Sequence, residues 1–101
     1  MTQISVVATI TAKAGRGDEI IGAFDSAKDA VQAEEGTLQY VLHRSQANPD
    51  VFYVTELYAD QAALDVHVGG AAIAALAGIG DAIDGVDMQF ATPVSVAKGF
   101  F

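Results

Sequence analysis

The chain has 101 residues, 51% of them hydrophobic, and a net charge of −8, which describes one globular domain rather than a disordered tail. It has no cysteine, so disulfides, thiolate nucleophiles and zinc–cysteine sites are excluded together. The five basic residues, Lys13, Arg16, Lys28, Arg44 and Lys98, are too scattered to form a footprint for nucleic acid or an anionic membrane, and they argue against a strongly anionic substrate unless they converge.

The opening MTQISVVATITAKAG is too short and too alternating for a signal peptide, and no apolar run is expected to span a bilayer, so a cytoplasmic location is expected. Gln3 to Ala12 alternates with period two, with Ile4, Val6, Ala8 and Ile10 on one parity, and predicts a strand. After the Gly15 and Gly17 turn, Asp18 is placed to cap a helix carrying Ile20, Ile21, Phe24, Ala27 and Val31 at helical spacing. Gly36 is placed to end it. Thr37 to Ser45 and Val51 to Tyr58 read as two strands joined through Asn48-Pro49-Asp50, a hairpin.

Asp60 reads as the N-cap of a helix that Gly69-Gly70 breaks or loosens and that Ala71 to Ile83 resumes. Val86 to Ala97 alternates again, and Pro93 within it implies an edge position or a bulge. The order β-α-β-β-α-β is the ferredoxin-like α+β pattern: one antiparallel sheet with the helices on one face, in a single domain covering 1–101. Its other sheet face carries Val7, Val41 and Leu57, or else Phe52 and Val54, depending on parity. An apolar face this open on so small a domain predicts a homodimer.

The span from Glu34 to His67 holds both histidines, all three tyrosines and the strand glutamate Glu56. His67 shares a helix stripe with Ala63 and Leu64 and is expected to face inward, as a general acid or base or as a core histidine satisfied by one hydrogen bond. Glu56 shares parity with Phe52, Val54 and Tyr58, so it needs either a solvated end of the sheet or a partner such as His67, His43 or Arg44. His43 and Arg44 point to opposite faces, so one of them can reach a pocket. No Walker loop, dinucleotide fingerprint, Cys/His cluster or nucleophile elbow occurs, and neither a metal nor a cofactor is expected.

The run EEGTLQYVLHRSQANPDVFYVTELYADQAALDVH resembles the central signature of the antibiotic biosynthesis monooxygenase (ABM) domain family. The residues that carry the resemblance are Glu35-Gly36, Tyr40, His43-Arg44, Asn48-Pro49, Phe52, Glu56-Leu57-Tyr58 and Asp60 to His67. It implies a dimeric ferredoxin-like α+β barrel with a pocket between sheet and helices. It also implies cofactor-free oxygenase chemistry, in which a base deprotonates a phenol, quinol or polyketide anthrone and the anion reacts with O2.

Carried over, His67 and Glu56 are the acid–base and orienting groups. Tyr40 and His43 are pocket contacts. Apart from the resemblance, Tyr58, which can line an apolar pocket and donate one hydrogen bond, and Phe24 are further candidate substrate-binding residues. Where many members carry a second histidine or an aromatic, this chain has Val68-Gly69-Gly70-Ala71-Ala72-Ile73. It has no Trp, and its first strand offers only Ser5, Thr9 and Thr11, which departs from the haem-degrading branch. Two other readings stay open: a proton-shuttling isomerase of the same fold, and a non-catalytic dimeric ligand-binding or stress-associated domain.

Overall fold

The computed structural model describes residues 2–99. In chain order it has β1 (Ile4–Ala12), α1 (Gly17–Gln32), β2 (Thr37–Arg44), β3 (Val51–Tyr58), α2 (Gln61–Val68), α3 (Ala71–Gly78), a 3-10 turn (Gly80–Ala82) and β4 (Ile83–Ala91). The strands form one sheet in the order β2-β3-β1-β4, and every neighbouring pair is antiparallel. This is the α+β, ferredoxin-like arrangement that the element order predicts, with its second helix in two pieces.

Register decides the faces. Val6, Ala8 and Ile10 stand opposite Glu56, Val54 and Phe52 on β3, and all six are buried beneath the helices. Ile20 of α1 joins Ala8, Ile10, Phe52 and Val54 in the largest cluster, with Phe24, Tyr40 and Leu76 packed against it. Burying each large side chain of this kind contributes about 1.5–3 kcal/mol. A second cluster joins Val6, Tyr58 and Leu64, and a third joins Ala27, Val31 and Ala72. The opposite face therefore carries the first of the two expected sets: Val7 is 48% and Val41 38% exposed, with Tyr53 at 42% beside them. Leu57 of that set is buried, and it shares a shallow cavity with Ser5, Pro93 and Val96 of the C-terminal segment.

Several boundaries differ from expectation. Asp18 does not cap α1. The cap comes from the hairpin turn, where the Asp50 carboxylate accepts from the backbone N–H of Gly15 at 3.0 Å and of Gly17 at 3.1 Å. Asp18 instead accepts from Arg44 Nη2 at 2.8 Å. Gly36 does not end α1 either; the helix stops at Gln32 with Ala33 in a helical conformation. Asp60 does cap α2, its Oδ1 accepting from Ala63 N–H at 2.9 Å.

The alanine-rich helix stops at Gly78 rather than Ile83, because Ile83 pairs with Ala12 across a bulge in β4 and opens that strand. β4 in turn ends at Ala91, short of Pro93, whose ring supplies no N–H to continue the ladder. As expected of its proline, it lies at a sheet edge. Gln61–Gly78, 18 residues of mean hydropathy 1.2, reaches the length and composition of a membrane-crossing helix, contrary to the expectation from sequence. Here it is two eight-residue helices separated at Gly69-Gly70.

Candidate active site

α2 is short, so its inward stripe consists of little more than Leu64 and His67. Leu64 fills the cluster with Val6 and Tyr58. His67, one turn further on, reaches the seam between that cluster and the one around Tyr40. It is 2% exposed. Its ring centroid lies 4.6 Å from that of Tyr40 and 5.2 Å from that of Tyr58, tilted against both.

The two ring nitrogens of His67 differ. Nδ1 lies 2.8 Å from Glu34 Oε1, and the same oxygen accepts from Thr37 Oγ1 at 2.8 Å. Nε2 is buried and, among the described residues, has no hydrogen-bond partner. A buried polar atom left unpaired is uncommon and costly, and it marks a position where a proton or a ligand atom can be received.

Glu56 is buried on β3, and the Tyr58 hydroxyl donates to its Oε1. Burial pushes the Glu56 carboxyl above its ordinary range, against the opposing pulls of the Tyr58 hydrogen bond and of His67. Burial also raises the Tyr58 hydroxyl, and the neighbouring Glu56 raises it further. Tyr40 moves upward for the same two reasons, burial first. Both phenols are therefore held neutral, and Tyr58 acts as a donor to Glu56. Of the partners expected for Glu56, His67 acts on it through charge but shares no hydrogen bond with it, and neither His43 nor Arg44 is bonded to it; Tyr58, two residues along the same strand face, is.

A cavity of about 580 Å3 opens between α1 and the β2–β3 side of the sheet. Phe24 and Tyr40 stack along it at 5.3 Å, and Leu42, Phe52 and Arg44 continue the wall. The Arg44 guanidinium sits 5.0 Å over the Phe52 ring. Lys28, Asp25 and Asp29 stand at the rim. Two of the five cations thus converge here, each already matched by a carboxylate: Lys28 by Asp25 at 2.9 Å and Arg44 by Asp18 at 2.8 Å.

Tyr40 belongs to both regions. It lines the cavity, and it packs on His67. His67, Glu56 and Tyr58 lie behind it and do not line the cavity themselves. The structure therefore brings His67, Glu56, Tyr40, Tyr58 and Phe24 into one continuous group. His43 is not in it. Strand alternation turns His43 to the other sheet face, where it is exposed and lies 3.0 Å from Thr55 Oγ1. Arg44 is the member of that pair that reaches the pocket.

The residue missed from sequence is Glu34, which sits in the α1–β2 connection outside any helical or strand period. The signal that could have found it is the adjacent glycine pair. A Cβ at position 70 would lie 2.9 Å from Glu34 Oε2 and 3.3 Å from the His67 carbonyl oxygen.

Fold and site together define a small ferredoxin-like α+β protein with a buried histidine–carboxylate group behind an aromatic-walled cavity. Residues 3–78 match the family model described as antibiotic biosynthesis monooxygenase. A Caulobacter crescentus protein, provisionally named an antibiotic biosynthesis monooxygenase, is 33% identical at a TM-score of 0.82, covering 93% of this chain and 92% of its own. A Pseudomonas aeruginosa protein is 26% identical at 0.85, covering 94% and 97%. A Chloroflexus aurantiacus protein, also provisionally named for the family, is 18% identical at 0.82, covering 99% and 100%, and so shows the fold alone. No curated protein matches the chain. This chain belongs to the antibiotic biosynthesis monooxygenase family, and its fold is that of proteins named as monooxygenases.

Proposed function

We propose that this protein is a cofactor-independent monooxygenase acting on a small aromatic, quinol or polyketide-like substrate with O2. The observation that supports it best is the unpartnered, buried Nε2 of His67 next to an aromatic-walled cavity. An imidazole that is bonded at one nitrogen and free at the other is built to accept a proton. Removing a phenolic or benzylic proton leaves a delocalised anion. That anion transfers electrons to O2; one oxygen atom enters the product, and the other leaves as water with the two hydrogens the substrate loses.

In this reading Phe24 and Tyr40 hold the aromatic rings of the substrate. Tyr40 turns aside to bring the acidic position to His67, and Glu56, whose hold on a proton is strengthened by burial, supplies a proton to the reduced oxygen. The test is oxygen uptake with a panel of quinols and anthrones under 18O2, comparing the wild-type protein with His67→Gln. One labelled oxygen per product molecule and one in water, persisting after dialysis against chelator, is the expected result. No consumption of any panel member would sink the oxygenase reading.

A second reading drops oxygen. One imidazole set between Glu34 and Glu56, two carboxylates in different environments, also suits a proton-shuttling isomerase. Turnover under strict anaerobiosis selects that alternative.

We also infer a homodimer formed across the open sheet face, where Val7, Val41 and Tyr53 remain exposed. The motive is the area of apolar surface left to water on so small a domain.

A further inference from the structure

We propose that Glu34 is a positioning residue of this site, fixing His67 in the tautomer that carries its proton on Nδ1 and leaves Nε2 as the free base. The proposal rests on the reading of His67 as proton acceptor and adds to it a residue with no assigned role.

The geometry carries it. Two donors, His67 Nδ1 and Thr37 Oγ1, converge on one oxygen of Glu34, each at 2.8 Å. Convergence of that kind suits an ionised carboxylate, which only accepts. The proton between Nδ1 and Oε1 therefore sits on the imidazole, and a neutral ring keeps its lone pair on Nε2. The reversed tautomer would aim a lone pair at the carboxylate and leave a buried Nε2–H without an acceptor, two unfavourable features at once.

The titratable groups packed around the ring are Glu34 from the α1–β2 connection, Tyr40 from β2, and Glu56 and Tyr58 from β3. Of these, Glu34 alone is hydrogen-bonded to it. Glu34 is itself held. Its carbonyl oxygen accepts from Thr37 N–H at 3.1 Å, and Gly70 passes so close to its Oε2 that a Cβ there would crowd it. The Gly69-Gly70 break between α2 and α3 thus has a local purpose: it lets the backbone close over the carboxylate that orients the histidine.

The experiment is 15N NMR of the ring nitrogens of His67, combined with steady-state kinetics, on wild type, Glu34→Ala and Glu35→Ala. In the wild type with a neutral imidazole, Nδ1 is expected protonated and Nε2 bare; the opposite pattern overturns the proposal without reference to any variant or substrate. In Glu34→Ala the preference is expected to collapse to a mixture, with kcat down at least tenfold and KM within twofold. Glu35→Ala removes an equal charge from an exposed neighbour and should change neither reading. If Glu34→Ala does not fold, Gly70→Ala serves instead, since it displaces the carboxylate without removing it, and an unaltered tautomer there counts against the role. The two levels separate cleanly. An ordered tautomer in a protein that consumes no oxygen leaves Glu34 in place and overturns the oxygenase reading. Full activity in Glu34→Ala with the tautomer unaltered does the reverse.

Discussion

Gly36 and Ala63 touch so closely that a Cβ built on Gly36 would lie 2.4 Å from the Cβ of Ala63. Contacts that short do not survive in folded proteins, so only glycine permits α2 to lie against the α1–β2 connection. The contact sits two residues from Glu34 and one helical turn from His67. It is what brings two groups 33 positions apart in sequence to within 2.8 Å. Gly36→Ala should therefore overpack this seam, lowering stability by about 1–3 kcal/mol. Urea denaturation would show a lower midpoint with an unchanged slope. Gly22→Ala, in an exposed part of α1 with nothing near its would-be Cβ, is the matched control and should raise stability by up to about 1 kcal/mol.

His67→Gln keeps a polar side chain of similar size while removing the titrating ring. A loss of kcat of about 100-fold or more is expected from removal of a general base, with KM little changed and thermal unfolding still cooperative. Wild-type rates in this variant would remove His67 from the chemistry.

Glu56 should leave a mark on stability as a function of pH. Its folded-state pKa lies above the ordinary value of 4.5, so the native state holds this proton more tightly than the unfolded chain does. The resulting stabilisation is full below 4.5 and is lost as pH rises through the folded value. Glu56→Gln should remove that decline, so its stability relative to wild type should grow from pH 4.5 upward. Glu19 and Asp81 act in the opposite sense. Hydrogen bonds from Arg16 lower both, so their contribution is present above their ordinary pKa values and fades as pH falls. Chemical denaturation at a series of pH values, for wild type and Glu56→Gln, reads both slopes.

Asp50 caps a helix that it does not precede. Because its two oxygens hold the N–H groups of Gly15 and Gly17, Asp50→Ala should cost about 1 kcal/mol, as other lost caps do. Asp50→Asn, which keeps one acceptor, should cost less. The difference in midpoint between the two variants measures the cap.

Val7 is 48% exposed near the middle of the open sheet face. If two copies meet there, Val7→Lys places like charges at the interface and should shift light scattering from the dimer mass to the monomer mass at micromolar concentration. A wild-type protein that is already monomeric at that concentration overturns the dimer.

The sequence alone determined the strand and helix order, the Asp60 cap and the break at Gly69-Gly70. These follow from local causes: period-two and helical alternation, capping chemistry and the backbone preferences of glycine. The tertiary structure decided what depends on register and on contacts between distant segments. Pairing of Tyr40 with Glu56 and of His43 with Tyr53 sends one of these β2 residues to the cavity and the other to the far face, because adjacent strand residues point to opposite sides. The non-local cap by Asp50, the packing of Tyr40 on His67, and the bond from His67 to Glu34 have no periodic signature. A carboxylate in a connecting loop gains its partner only when a glycine lets two elements close on it.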